Sequence, residues 1–258
     1  MKRLHLFEFE DFPWFPPLLR TYLTRYLLTV HRLLDSSALI AGLLRKLLAK
    51  TESRRILDLC SGSGGPMIDA VAELSGEFPN LKLTLSDLYP DLSTASKINT
   101  KDDSTHYYQQ PVDATRVPGE LAGIRTLICS FHHLDPTAAK KVLLNATQSN
   151  QPILIYEISD NSFPKWLWWL AFPINIITVI ILTLGVRPLH IGHIVFTYLI
   201  PILPLIIAWD GAVSNARTYT LQDLETLLSD IPHNGYHWEK GTIAGKGGAK
   251  LYLMGYPL

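Results

Sequence analysis

Asp58, Cys60, Gly62 and Gly64 stand at every second position, with Ser61 between the first pair and the glycines. Ahead of them runs Ile56-Leu57-Asp58-Leu59, a strand-like apolar stretch. Behind them Met67, Ala70, Val71 and Leu74 recur at the spacing of one helix face. A strand, a glycine turn and a helix make a cradle for a nucleotide cofactor. Glycine lets the backbone come close to a ligand, and the helix N-terminus presents free N–H groups. Asp58 falls at the carboxyl end of the strand, where open α/β sheets hold ligands. A second acid, Asp87, ends the alternating run Leu81-Lys82-Leu83-Thr84-Leu85-Ser86, about 29 residues after Asp58. A carboxylate there can accept from both hydroxyls of a ribose. Its other reading is the cap of a helix starting near Pro90.

A second set of residues suits proton transfer. His132 and His133 follow the apolar run of residues 125–130. An imidazole titrating near neutrality can take a proton from an acceptor group. Glu157, near the end of the run 153–158, and Asp210, after a long apolar stretch, are further candidates for that base. Arg217 and Tyr219 could orient a polar group or lie on the surface. No metal-ligand spacing is present, since His190 and His193 have no acid or cysteine beside them. Cys60 and Cys129 both fall in strand-like runs, which is no disulfide framework and suits a reducing compartment.

The elements that must position these residues alternate along the chain. Strands are expected at residues 56–59, 81–86, 107–109, 125–130 and 153–158, then a hairpin at 237–243 and 250–256 around a glycine-rich turn. Helices are expected at 17–34, 37–50 with Ser37 as cap, 67–74, 137–147 with Asp135 as cap, and 221–228. This predicts an α/β fold with a doubly wound, mostly parallel sheet. Residues 17–34 form an amphipathic helix with Arg20, Arg25 and Arg32 on its polar stripe. Phe7, Phe9, Phe12, Trp14 and Phe15 belong to an arm that either tucks over the core or forms an aromatic flap over a substrate mouth.

Residues 56–64 resemble the first motif of class I S-adenosylmethionine-dependent methyltransferases, an acid followed by three alternating glycines. Cys60 stands where the first glycine is expected. Cysteine is small enough for close approach, but a positive φ there would be costly. A dinucleotide fold would need its third glycine at position 67, which is Met67. The resemblance implies a Rossmann-like seven-stranded sheet and S-adenosyl-L-methionine as cofactor. It places the cofactor against Asp58, Cys60, Ser61, Gly62 and Gly64 in the first turn, and against Asp87 and Leu88 after the second strand. Asp113 would meet the adenine amino group beside Ala114, and Ser130 and Phe131 would follow the fourth strand. The cofactor brings the reactive methyl group, and the protein positions an acceptor in line with it.

The chain of 258 residues balances 23 Lys and Arg against 23 Asp and Glu, so it offers no basic field for nucleic acid. Glu8, Glu10 and Asp11 interrupt the start Met1-Lys2-Arg3, and no signal peptide is expected. Composition changes sharply from Trp166 to Trp209, where Arg187 is the single Lys, Arg, Asp or Glu. Residues 166–186 are long enough as one helix to cross a bilayer core. Residues 194–209 are a shorter run broken by Pro201 and Pro204, and Trp166, Trp168, Trp169 and Trp209 resemble an interfacial belt. A hairpin with its tip at Arg187, Pro188, His190 and His193 would let the chain return to the same sheet. The expected organisation is an arm with helices (1–50), a catalytic domain (51–164 and 211–258) and an apolar hairpin (165–210). A lid or a dimer contact would use the same residues.

The combined expectation is methyl transfer to a lipophilic small molecule or lipid, by a membrane-associated or integral protein whose catalytic domain lies on the cytoplasmic side. The other reading is a non-catalytic, cofactor-binding membrane module that recruits partners through the hairpin.

Overall fold

Five short apolar runs pair side by side as the parallel part of one sheet. They are β1 (Arg55–Leu59), β2 (Lys82–Leu85), β3 (Thr105–Tyr107), β4 (Ile124–Ile128) and β5 (Ile153–Glu157). A long hairpin, β6 (Tyr236–Gly245) and β7 (Gly248–Pro257), adds two antiparallel strands. The strand order is β3-β2-β1-β4-β5-β7-β6. The computed structural model describes residues 3–101, 103–162, 164, 168–232 and 235–258. Met1 and Lys2 of the charged start and Trp166 of the proposed belt lie outside the described residues, as do the side chains of Trp168 and Trp169.

The order reverses direction between β1 and β4, both paired in parallel register from Ile56 opposite Ile124 to Leu59 opposite Leu127. Ligand crevices in such sheets open at this switch point, beyond the carboxyl ends of the strands. β3 begins two residues earlier than the sequence suggests. Its ladder is set by β2, with Thr105 opposite Leu83 and the buried Tyr107 opposite Leu85, where β2 ends.

Helices cover both faces because their apolar stripes need burial. On one side α2 (Ser36–Leu48) and α3 (Met67–Leu74) pack with α4 (Leu92–Asn99) against the sheet. On the other lie α5 (Pro136–Gln148) and α9 (Leu221–Leu228). Asp135 caps α5 as expected, accepting from the N–H groups of Thr137 and Ala138 at 2.8 Å each. At α2 the residue before the helix is Asp35, in a left-handed conformation, and Ser36 is already helical, so Ser37 is not the cap.

The apolar segment departs from the expected long span. It forms α6 (Trp168–Leu182), with Pro173 inside it, ending in a tight turn at Thr183–Gly185. At 1.5 Å per residue the described residues of α6 span about 22 Å, short of a bilayer core. After the loop come α7 (Ile191–Ile194), a π turn (Val195–Leu199) and α8 (Ile202–Arg217). Among the described residues no single helix is long and apolar enough to cross a membrane. Two bent pairs combine the length and composition: α1 (Pro17–Leu33) with α2, bent by 70°, and Ile191–Leu199 with α8, bent by 84° at Pro201. The segment does fold back on itself, with α6 against α8, and both join α1 in a separate core of Tyr22, Leu23, Tyr26, Val179, Leu203 and Ile207. His193 is not at an exposed tip. It is buried, its ring 4.3 Å from that of Tyr22.

Candidate active site

The glycine turn begins in strained backbone. Cys60 has φ 56°, so it occupies the left-handed region where the first glycine of the motif would sit without cost. Gly62 and Gly64 also have positive φ, 51° and 89°. At Gly64 a Cβ would lie 2.8 Å from the Ile68 side chain and 3.0 Å from that of Leu85, so the turn is held against α3 and β2. At Gly62 a Cβ would meet nothing within 4 Å, which leaves that face of the turn open to a ligand. Ser61 ties the turn back to the sheet, its N–H donating to the Ser86 carbonyl and its hydroxyl to that of Asp58.

Asp87, just beyond β2, reaches across to this turn. Its carboxylate accepts from the Gly62 N–H at 2.9 Å and from the Tyr89 N–H at 2.9 Å. It does not cap the next helix, because Asp91 does, accepting from Ser93 and Thr94. The carboxylate therefore stays partly exposed with lone pairs to spare. Leu88 is exposed next to it. Asp58 is placed differently. It is 3% exposed and points into the sheet, where the Thr126 hydroxyl donates to it at 2.5 Å. Burial pushes its carboxyl up to about 7 against the opposing hydrogen bonds from Thr126 and Ser61. Asp113 is exposed and accepts from Thr115 within its own turn, while Ala114 is buried. Ser130 Oγ is buried beside the Cys60 thiol, and its contact works to lower that thiol against the burial that pushes it up. Phe131 packs its ring into the core, 5.2 Å from Tyr219, and does not face the turn.

The acid–base half forms at the ends of β4 and β5. A single helical turn at Phe131–His133 sets both histidines beyond β4. Glu157, at the last position of β5, takes the His132 backbone N–H at 3.0 Å and its ring Nδ1–H at 2.8 Å. An ionised carboxylate can only accept, so Nδ1 carries the proton and Nε2 is the atom turned towards Glu8. His133 Nδ1 meets Asp11 in the same way at 2.9 Å.

Asp11 comes from the N-terminal arm, which crosses the carboxyl end of the sheet. Arg3 anchors it, donating to the carbonyls of Arg217, Leu134 and His132. Asp210 holds the next stretch, accepting from the Phe9 N–H at 2.8 Å and the Glu10 N–H at 3.4 Å. Burial pushes Asp210 up to about 7. It is engaged with backbone, and so serves the arm rather than standing free as a base. Arg217 spans Glu8 at 3.0 Å and Asp11 at 2.6 Å, and also donates to the His133 carbonyl. Glu8 is fully buried and further bonded by the Ser214 hydroxyl. Burial works to lower His133, but the Asp11 hydrogen bond and the charges of Glu8 and Glu10 outweigh it and push it up to about 9. The same contacts, His133 first and then Arg217, hold Asp11 well below the usual carboxylate range despite its burial.

The structure thus brings His132, His133 and Glu157 together, and puts Cys60, Gly62, Gly64 and Asp87 in one turn at the neighbouring strand ends. Glu8 and Asp11 were not among the candidates. They lie more than 120 residues from the histidines they meet, and acids scattered among aromatics carry no spacing that would mark them.

No family model and no curated protein matches the chain. Solved structures do. The plantazolicin methyltransferase BpumL, in complex with a triazolic desmethylplantazolicin analogue and S-adenosylhomocysteine, matches with a TM-score of 0.57 at 12% identity, over 97% of this chain and 93% of that one. The same protein with a pentazolic analogue gives 0.54 at 12% identity, over 93% and 99%. The fold is that of a solved methyltransferase. A candidate O-methyltransferase from Nostoc punctiforme gives 0.48 at 15% identity over 86% of this chain, which spans only 56% of that protein's length.

Proposed function

We propose that the protein is an S-adenosyl-L-methionine-dependent methyltransferase acting on a heteroatom of a lipophilic small molecule or lipid. The observation that carries this is the join of the two halves of the site. A glycine turn whose Gly62 N–H is held by the Asp87 carboxylate stands at the strand ends beside a histidine pair braced by Glu157 and Asp11.

The residues present fit the cofactor. Asp87 keeps acceptor capacity toward a ribose, and Gly62 faces open space. When bound, the cofactor supplies an electrophilic methyl group on a sulfonium centre. The chain's own residues do the rest. The turn fixes the cofactor's position, and the arm excludes water from the ends of β4 and β5. Nε2 of His132 is the atom that meets the acceptor's proton, or a cation in its place, while Glu157 fixes the ring.

The lipophilic acceptor is supported by the surface around the site. A cavity of about 700 Å³ lies beyond β5, between α6, α8 and the β6–β7 turn, with Ile158, Ala171 and Ile174 on its walls beside the polar Ser159, Asp160 and Asn215. Ile174 also belongs to an exposed apolar band with Ile177, Ile181, Leu184, Ile191 and Leu199, of which Ile191 is 79% and Leu199 75% exposed. Apolar surface of that extent suits a lipid interface. α8 runs from this band to Asp210 and Arg217 in the site. The test is to titrate the purified protein with S-adenosyl-L-methionine by calorimetry, then incubate it with lipid extract and methyl-labelled cofactor. Binding together with a labelled lipophilic product is expected. Binding without any labelled product overturns the enzymatic reading and favours a cofactor-binding module, and no binding overturns both.

A further inference from the structure

We propose that Glu8, His132 and His133 form a binding site for a first-row divalent cation of the zinc class. Their ligand atoms, one carboxylate oxygen and two imidazole nitrogens, all lie within 4.8 Å of one another. His132 Nε2 is 3.9 Å from Glu8 Oε1, and His133 Nε2 is 3.9 Å from Glu8 Oε2. Neither distance is a hydrogen bond. One carboxylate oxygen and two ring nitrogens therefore share one gap, with Glu10 Oε1 a further 3.6 Å from His133 Nε2.

The arrangement behind these atoms points the same way. Each histidine gives its Nδ1–H to a carboxylate, Glu157 at 2.8 Å and Asp11 at 2.9 Å, which turns both Nε2 atoms towards Glu8. A carboxylate behind an imidazole is the usual support of a metal-bound histidine, fixing the tautomer and raising ligand basicity. His132 is 5% exposed, and its Nε2 has no hydrogen-bond partner among the described residues, a cost that a ligand would remove.

The geometry needs only modest closure. Metal bonds of about 2.0–2.2 Å in a tetrahedron put ligand atoms roughly 3.3 Å apart, so the present separations must contract by no more than about 1.5 Å. Two imidazoles and a carboxylate suit zinc and its neighbours better than magnesium or calcium. Three protein ligands leave a fourth position open. If the methyltransferase reading holds, on which this last step alone rests, that position faces an acceptor oxygen, nitrogen or sulfur.

The experiment uses the full chain, stripped with a chelator and returned to Zn²⁺ or Co²⁺, read by calorimetry, metal analysis and the visible bands of tetrahedral cobalt. One equivalent is expected to bind to the wild type, and Glu8→Gln and His133→Ala are expected to lose it. Glu157→Gln should weaken it about 10–100-fold by unsettling His132. His190→Ala, in the distant loop, should bind as the wild type does. The proposal is overturned if the stripped wild type binds no tighter than Glu8→Gln, or if His190→Ala loses the ion equally. It is also overturned if the stripped wild type binds no ion, a result that needs no variant to fold. Cofactor titration on the same stripped sample separates the two ideas: cofactor binding without metal binding removes only the metal site.

Discussion

The backbone N–H of Gly62 donates to the carboxylate of Asp87 over 2.9 Å, so the acid that ends β2 holds the turn that ends β1. The same carboxylate is the candidate ribose ligand. Asp87→Ala should therefore weaken S-adenosyl-L-methionine about 10–100-fold, the loss of one charge-assisted bond at about 1.5–3 kcal/mol. Asp91→Ala is the control. It removes the α4 cap, and should lower stability by about 1 kcal/mol while leaving calorimetric affinity unchanged. Equal affinities for the wild type and Asp87→Ala would remove Asp87 from the cofactor site.

If His132 is the base, His132→Ala should lower turnover by about 10²–10⁴ with little change in cofactor affinity, because its ring is held by Glu157 and makes no contact with Gly62 or Asp87. Asp210→Asn should behave differently. Its carboxylate accepts from the arm's backbone at Phe9 and Glu10, so this variant should loosen the arm, visible as faster amide exchange over residues 3–15. A turnover loss in Asp210→Asn as large as in His132→Ala, without arm loosening, would restore Asp210 as a base.

Asp58 gives a pH signature. Burial raises its folded-state value to about 7, above the ordinary 3.8, so the folded protein holds this proton where the unfolded chain has released it. Stability should fall as pH rises from near 4 to near 7 and then level off. Asp58→Asn keeps an acceptor for Thr126 without the charge, and should show a shallower fall in that window. Urea midpoints of the two proteins across the range check it, and parallel curves would mean that Asp58 is not held protonated.

Cys60 at φ 56° carries a cost that glycine would not. Cys60→Gly should keep cofactor affinity and lose no thermal stability. Cys60→Val, with a branched Cβ in the same backbone, should destabilise by about 2 kcal/mol or more. If valine is tolerated as well as glycine in thermal melts, the turn is free to leave the left-handed region.

The exposed band on α6 and the π turn predicts interfacial binding. Replacing Ile181 and Leu199 by Glu should reduce sedimentation with liposomes and leave cofactor affinity intact, since neither touches the glycine turn. Wild-type protein that ignores liposomes would favour a lid or a contact between copies.

Several of these features were legible before any coordinates. The five parallel strands, the helix after the glycine turn and the Asp135 cap follow from periods of 2 and 3.6 and from local capping chemistry, which act within a few residues. Asp58, Asp87 and the histidines were readable as strand-end residues because chain order alone places strand ends on one side of a parallel sheet. What they do there was decided by the tertiary structure. Asp58 turned inward to Thr126, because β4 rather than solvent lies beside it, whereas Asp87 turned toward Gly62. The apolar segment kept its composition but not one long span, since α6 gives way to the turn at Thr183–Gly185 and the chain bends by 84° at Pro201. Most of all, the arm brought Glu8 and Asp11 to His132 and His133. Such a meeting depends on the path of the backbone over the whole domain, and no local pattern encodes a contact between residues so far apart.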